Sequence, residues 1–149
     1  MSTTIYETDF YLWTQQQADL LRQGALSALD TEHLIEEIES MGRRDRNALR
    51  SYLLSVTMHL LKWRYQPERQ GTSWRLSIAN GRDQIAWQIK DSPSLYPQLS
   101  SLLTEVYPSA RRNAAGEPGL PLAIFPEQCP FTVEQVTGDW WPNSKNRLD

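Results

Sequence analysis

The chain has 149 residues, 40% of them hydrophobic and 22% charged; it is long enough for a hydrophobic core and too apolar for intrinsic disorder. No run approaches the 18 or so apolar residues of a membrane span and no basic stretch with an apolar core opens the chain, so neither a spanning segment nor an export signal is expected. A net charge of -3 argues against wholesale electrostatic binding to nucleic acid, and the lone Cys129 excludes a disulfide framework or a cysteine zinc site and suits a reducing cytoplasm.

Periodicity near 100° per residue predicts helices in chain order. The first runs from about Asp9, an N-cap residue, to Gln23, with Gly24 as its stop and Phe10, Trp13, Leu20 and Leu21 on one face. The second starts at Asp30 and groups Leu34, Ile35, Ile38 and Met41, with Glu32, Glu36 and Glu39 opposite. Gly42 is expected to break or bend it, although a Glu39–Arg43 pair one turn apart would favour continuation. The third, about Arg44 to Tyr65, carries Leu49, Leu53, Val56, Leu60 and Trp63 at 4-3-4-3 spacing. A second apolar band of Leu54, Met58, Leu61 and Tyr65 lies nearly opposite, so this helix is expected at the centre of a bundle, ending before Pro67. Emptying the site of Trp63 by alanine is expected to cost about 3–5 kcal/mol.

The fourth helix, about Ser73 to Lys90, turns Trp74, Ile78, Ile85 and Ile89 inward, with Gly81 on the same face where a neighbouring helix can approach. Leu95, Leu99, Leu102 and Val106 define a fifth, starting near Ser94 and kinked or ended by Pro108. From Gly116 onward Pro118, Pro121, Pro126, Pro130 and Pro142 preclude a long helix, yet Leu120, Ile124, Phe125, Phe131, Trp140 and Trp141 are too apolar for a disordered tail. The expectation is an all-α, single-domain bundle of about five helices over residues 1–115, wrapped by an irregular arm over 116–149. A capping box at Thr132 and Gln135 marks one short helix in that arm.

Charge is uneven. Residues 1–42 hold eight acids against Arg22 alone, about -7, and residues 43–82 hold nine bases against Asp45 and Glu68, about +7. The two segments either neutralise each other by packing side by side, or leave a basic face for a phosphate backbone or an acidic partner.

Five ordered stretches carry a resemblance: Tyr6-x-x-Asp9-Phe10-Tyr11-x-Trp13-Thr14, Leu34-Ile35-Glu36-Glu37-Ile38-Glu39-Ser40-Met41-Gly42, His59-Leu60-Leu61-Lys62-Trp63-x-Tyr65-Gln66-Pro67, Asp91-Ser92-Pro93-Ser94-Leu95 and Phe125-Pro126-Glu127-x-Cys129-Pro130-Phe131. They resemble the signature stretches of the bacterial, largely cyanobacterial family called domain of unknown function 29, over about residues 6–142. The resemblance implies a compact helical protein from a bacterium. It implies no activity, and no catalytic residue carries over from it.

Read on their own chemistry, the residues favour no catalysis. Cys129 has no local basic group to lower its thiol pKa, and there is no Gly-x-Ser-x-Gly elbow or phosphate-binding glycine loop. Metal candidates are His33 and Glu37, one helical turn apart, and His59; the Glu-x-x-His pattern of di-metal bundles is absent, so a hydrogen-bonded structural histidine is the favoured reading of His59 and no cofactor is expected. Lys62, Arg64, Arg69 and Arg75, interleaved with Trp63 and Trp74, form the candidate nucleic-acid surface, extended by Arg43, Arg44, Arg46 and Arg50; inward-facing tryptophans speak against it. Leu76 and Trp87, three turns apart on a face the fourth helix's own stripe does not use, are the candidate protein interface, for a homodimer or an unknown protein partner, unless the arm covers them. The favoured function is a small cytoplasmic interaction or regulatory module without catalysis; nucleic-acid association and a metal-dependent bundle enzyme are the alternatives.

Overall fold

The computed structural model describes residues 5–116 and 119–142; Pro118 and the end of the arm, 143–149, lie outside the described residues. Six α-helices are present and no strand among the described residues, so the all-α expectation holds: α1 Ile5–Thr8, α2 Phe10–Arg22, α3 Thr31–Tyr65, α4 Thr72–Asp91, α5 Leu99–Gly116 and α6 Val133–Thr137. The chain divides into two compact units, Met1–Arg44 and Asp45–Asp149.

In the N-terminal unit, Asp9 caps α2 by accepting from the Leu12 amide at 3.1 Å. Gly24, at φ +72°, takes the left-handed turn that ends the helix, and the Ala25 amide bonds back to Leu20 O at 2.9 Å. Trp13 and Gln17 are its buried residues. The faces expected to turn inward are largely open here: Phe10, Leu21, Ile35, Ile38 and Met41 are exposed.

The C-terminal unit holds the main core. Leu49, Leu53, Val56, Leu60 and Leu61 of α3 meet Ile78 and Ile85 of α4, and Leu102, Val106 and Ala114 of α5. Leu53 and Leu60 are wholly buried, as the heptad spacing predicts. Gly81 does what its place on the inward face predicts: a Cβ there would lie 2.4 Å from Val56 Cγ2. The arm adds Phe125, Phe131 and Val136 to the same core, and the Thr132–Gln135 capping box forms.

Four expectations need correction. Gly42 does not break the second helix; α3 runs unbroken from Thr31 to Tyr65. Gly costs only about 1 kcal/mol within a helix, too little to stop one held by Tyr6 at His33 and Glu37 before it and buried from Leu49 onward after it. Of the two expectations at Pro108, a kink or an end, the end is excluded: the helical turns expected over Ser109–Ala115 belong to α5 itself, which buries Val106 and Tyr107 before the proline and Ala110, Ala114 and Ala115 after it. That burial offsets the roughly 3 kcal/mol a helix-interior proline costs. The start of the fifth helix is a 3₁₀ turn, Pro93–Gln98, because Pro97 has no amide to donate. Trp63 is half-buried at the margin of the core rather than inside it, so its replacement by alanine should cost well under the range for a core aromatic.

Candidate functional site

The N-terminal unit builds its polar centre at the start of α3. Asp30 Oδ2 accepts from Trp13 Nε1 at 3.0 Å and from His33 Nδ1 at 2.7 Å, while its backbone amide donates to Gln17 Oε1 at 2.8 Å. A carboxylate only accepts, so the imidazole carries its proton on Nδ1. The hydrogen bond from His33 holds Asp30 below the ordinary carboxylate range, and the same bond raises His33 above the ordinary imidazole range. Tyr6 from α1 stacks on His33, ring centroids 4.0 Å apart, and its hydroxyl donates to Glu37. That bond, to an acceptor already charged, pushes the Tyr6 phenol up to about 12. His33 and Glu37 are therefore brought together, but each is engaged by a partner that ties helices to one another.

His59 donates from Nδ1 to the Ser55 carbonyl of its own helix at 2.7 Å, and burial lowers its pKa. Among the described residues no three His, Cys, Asp or Glu side chains converge as a metal centre.

The basic–aromatic segment folds into stacked pairs within the C-terminal unit. Lys62 lies 5.8 Å from the Trp74 ring, Arg64 5.7 Å from Tyr65 and Arg75 5.7 Å from Trp63. The other ring on Trp63 is Trp141 of the arm, at 4.8 Å, and Arg82 stands 5.5 Å from Trp141. Trp63 thus has both Arg75 and the Trp141 ring, tilted by 54°, against it. Arg69, exposed on the turn after α3, belongs to none of these pairs.

Arg82 is the residue sequence reasoning missed. It is buried, and its guanidinium donates to three arm carbonyls: Val136 O at 2.9 Å, Gln135 O at 2.8 Å and Trp140 O at 2.6 Å. Desolvation lowers its pKa. The available signal was its place between Ile78 and Ile85 on the inward stripe of α4, where a cation needs several acceptors. Tyr6 was likewise visible only as part of a motif, not as the partner of His33 and Glu37.

A cleft of about 850 Å³ lies between α5 and the arm, lined by Tyr107, Arg111, Glu127 and Cys129 among others. Two of its polar groups already serve the arm: Tyr107 donates to Pro126 O at 2.5 Å and Arg111 to Phe125 O at 3.0 Å. Burial raises both the Tyr107 phenol, to about 12, and the Cys129 thiol, so neither is a ready nucleophile.

Leu76 and Trp87 remain 55% and 57% exposed on α4, while Trp141 of the arm packs on Trp63 and Trp140 beside Phe131. Among the described residues the arm does not cover them. Asn80 and Asp83 lie between them on that face, so the two do not make one continuous apolar patch.

These features define an all-α protein in which Asp30, Arg82 and Tyr107 bind its own elements together and whose N-terminal unit leaves Phe10, Ile35, Ile38 and Met41 exposed. The chain belongs to the family described as domain of unknown function DUF29, whose model matches residues 5–141. No curated protein and no solved structure matches it.

Proposed function

We propose that this protein is a cytoplasmic protein-interaction or regulatory module without catalysis of its own, and that it works through the apolar side of its N-terminal unit. One observation carries the reading: among the described residues of the unit, Trp13 is the only large apolar side chain that is buried, whereas Phe10, Tyr11, Leu26, Ile35, Ile38 and Met41 are exposed. Each is worth roughly 1.5–3 kcal/mol when fully removed from water, and open clusters of this kind mark binding surfaces. The engagement of His33, Glu37 and His59 by groups of the same chain supports an interaction role over a metal-dependent enzyme. The rings that pair with Lys62, Arg64 and Arg75 support it over nucleic-acid binding.

The test is photo-crosslinking in the cell with a benzophenone amino acid at position 38 or at position 87. A discrete protein adduct at position 38 is the expected result. No protein adduct at either position, together with a salt-sensitive mobility shift of single-stranded RNA or DNA at about 50 mM salt, would replace this reading with the nucleic-acid one.

A further inference from the structure

We propose that the open face of α3 in the N-terminal unit is covered by the same face of a second copy, lying antiparallel across a two-fold axis near residue 40. The proposal rests on the interaction reading above and names its partner. At 100° per residue, Ile35, Ile38 and Gly42 fall within about 60° of one another, with Met41 about 60° further round. Ile35, Ile38 and Met41 are 52%, 61% and 53% exposed.

The charges beside this strip select the occupant. Along one edge of α3 run Glu32, Glu36 and Glu39, followed on the same edge by Arg43. None of the four has an ion pair within the N-terminal unit, where the pairs among described residues are Arg22–Asp19 and His33–Asp30. A foreign acidic or basic helix would match only one end of such an edge, and a parallel copy would set glutamate against glutamate. An antiparallel copy centred near residue 40 sets Glu36 opposite Arg43 twice, once on each side of the axis, as an isologous contact requires. The same register brings Ile38 of one helix to Gly42 of the other.

That register also accounts for Gly42. Glycine is the least favourable helix-interior residue after proline, and a Cβ at this position would meet nothing within 4 Å in the chain itself. No internal contact asks for a glycine there. A facing Ile38 does, because the missing side chain leaves the isoleucine room to pack.

Sedimentation velocity on the full chain tests the proposal, with wild type expected to be a dimer at micromolar concentration. Ile38→Glu should weaken association roughly 1,000-fold, since a central contact is lost twice in a two-fold dimer. Its helical circular dichroism should be unchanged because the side chain is exposed in the single chain. Glu36→Arg and Arg43→Glu should each weaken the dimer, and the double swap E36R/R43E should restore it. Trp87→Glu should leave it intact. A dimer that survives Ile38→Glu but not Trp87→Glu would move the interface to α4 and overturn the proposal, as would a charge swap that fails to rescue. A monomeric wild type that crosslinks through position 38 to a different protein would overturn the second copy while sustaining the interaction reading. A monomeric wild type with no adduct at either position would overturn both.

Discussion

Gly81→Ala is the sharpest available test of the helix packing, because two known effects oppose each other there. An added Cβ would sit 2.4 Å from Val56 Cγ2, 3.7 Å from the Tyr52 carbonyl oxygen and 3.8 Å from Val56 Cβ. Carbon atoms in good contact stay about 3.5–4.0 Å apart, so the first distance is short by more than about 1 Å. Val56 is wholly buried and branched at Cβ, which fixes its χ1 in a helix, so it has no easy rotamer to retreat into. Overpacking of this kind costs about 1–3 kcal/mol, and its upper end applies when the neighbour cannot move. Against it stands a gain of about 1 kcal/mol from replacing a helical glycine. The net is a loss of about 2 kcal/mol, or a fall in Tm of roughly 4–8 °C for a chain of this size. Urea unfolding followed by circular dichroism at 222 nm measures it. Val56→Ala removes the clashing methyl, so in that background Gly81→Ala should instead stabilise by about 1 kcal/mol. If Gly81→Ala is stabilising in the otherwise wild-type chain, or equally damaging in both backgrounds, the close approach of α4 to α3 is not what holds this glycine.

Three other predictions follow from single groups. Arg82→Ala should cost at least about 3 kcal/mol and open the segment from Thr132 to Trp140 to limited proteolysis, because three arm carbonyls lose a charged donor; Arg82→Lys should not rescue, since one ammonium cannot reproduce the fork. In an NMR titration the two histidines should move in opposite directions, His33 above the ordinary value through its bond to Asp30 and His59 below it through burial, and Asp30→Asn should bring His33 back down. With His33 raised, its share of stability is complete below about pH 6.5 and is lost as pH climbs through its folded value, while the share from the lowered Asp30 is present above about pH 3.9 and is lost as pH falls through its folded value, so the pair contributes most between these limits. Cys129 should resist a thiol reagent at pH 7.5 in the native protein and react at once in urea; equal rates would contradict its raised pKa and partial burial.

Hydrophobic period carried most of the C-terminal unit. The spacing of Leu49, Leu53, Val56 and Leu60 marked the central helix, and the place of Gly81 in the stripe of α4 marked the close approach, because both depend on which side chains share a face. The errors at Gly42 and Pro108 have a common source. A local cost of about 1–3 kcal/mol does not decide the continuity of a helix; what the rest of the helix is held by does, the buried residues on either side of Pro108 in α5 and, for Gly42, the buried run from Leu49 onward in α3. Trp63 was misplaced for a different reason: its register is that of a core residue, but the helix has nearly run out there, and the ring it meets is Trp141, 78 positions away in the sequence.

The same limit applies to function. Period alone marks a face as apolar without saying what covers it, so Leu49 and Ile38 read alike in the sequence; one is wholly buried and the other 61% exposed. Charge order adds what period lacks. Glu36 and Arg43 stand seven positions apart on one edge, a separation that a helix cannot close within itself because side chains pair only across three or four residues. Two copies running in opposite directions close it in a single step. In the proposed dimer, acids placed before bases along an open apolar strip would set the direction of the second copy as well as its surface, and that direction would be the reverse of the first.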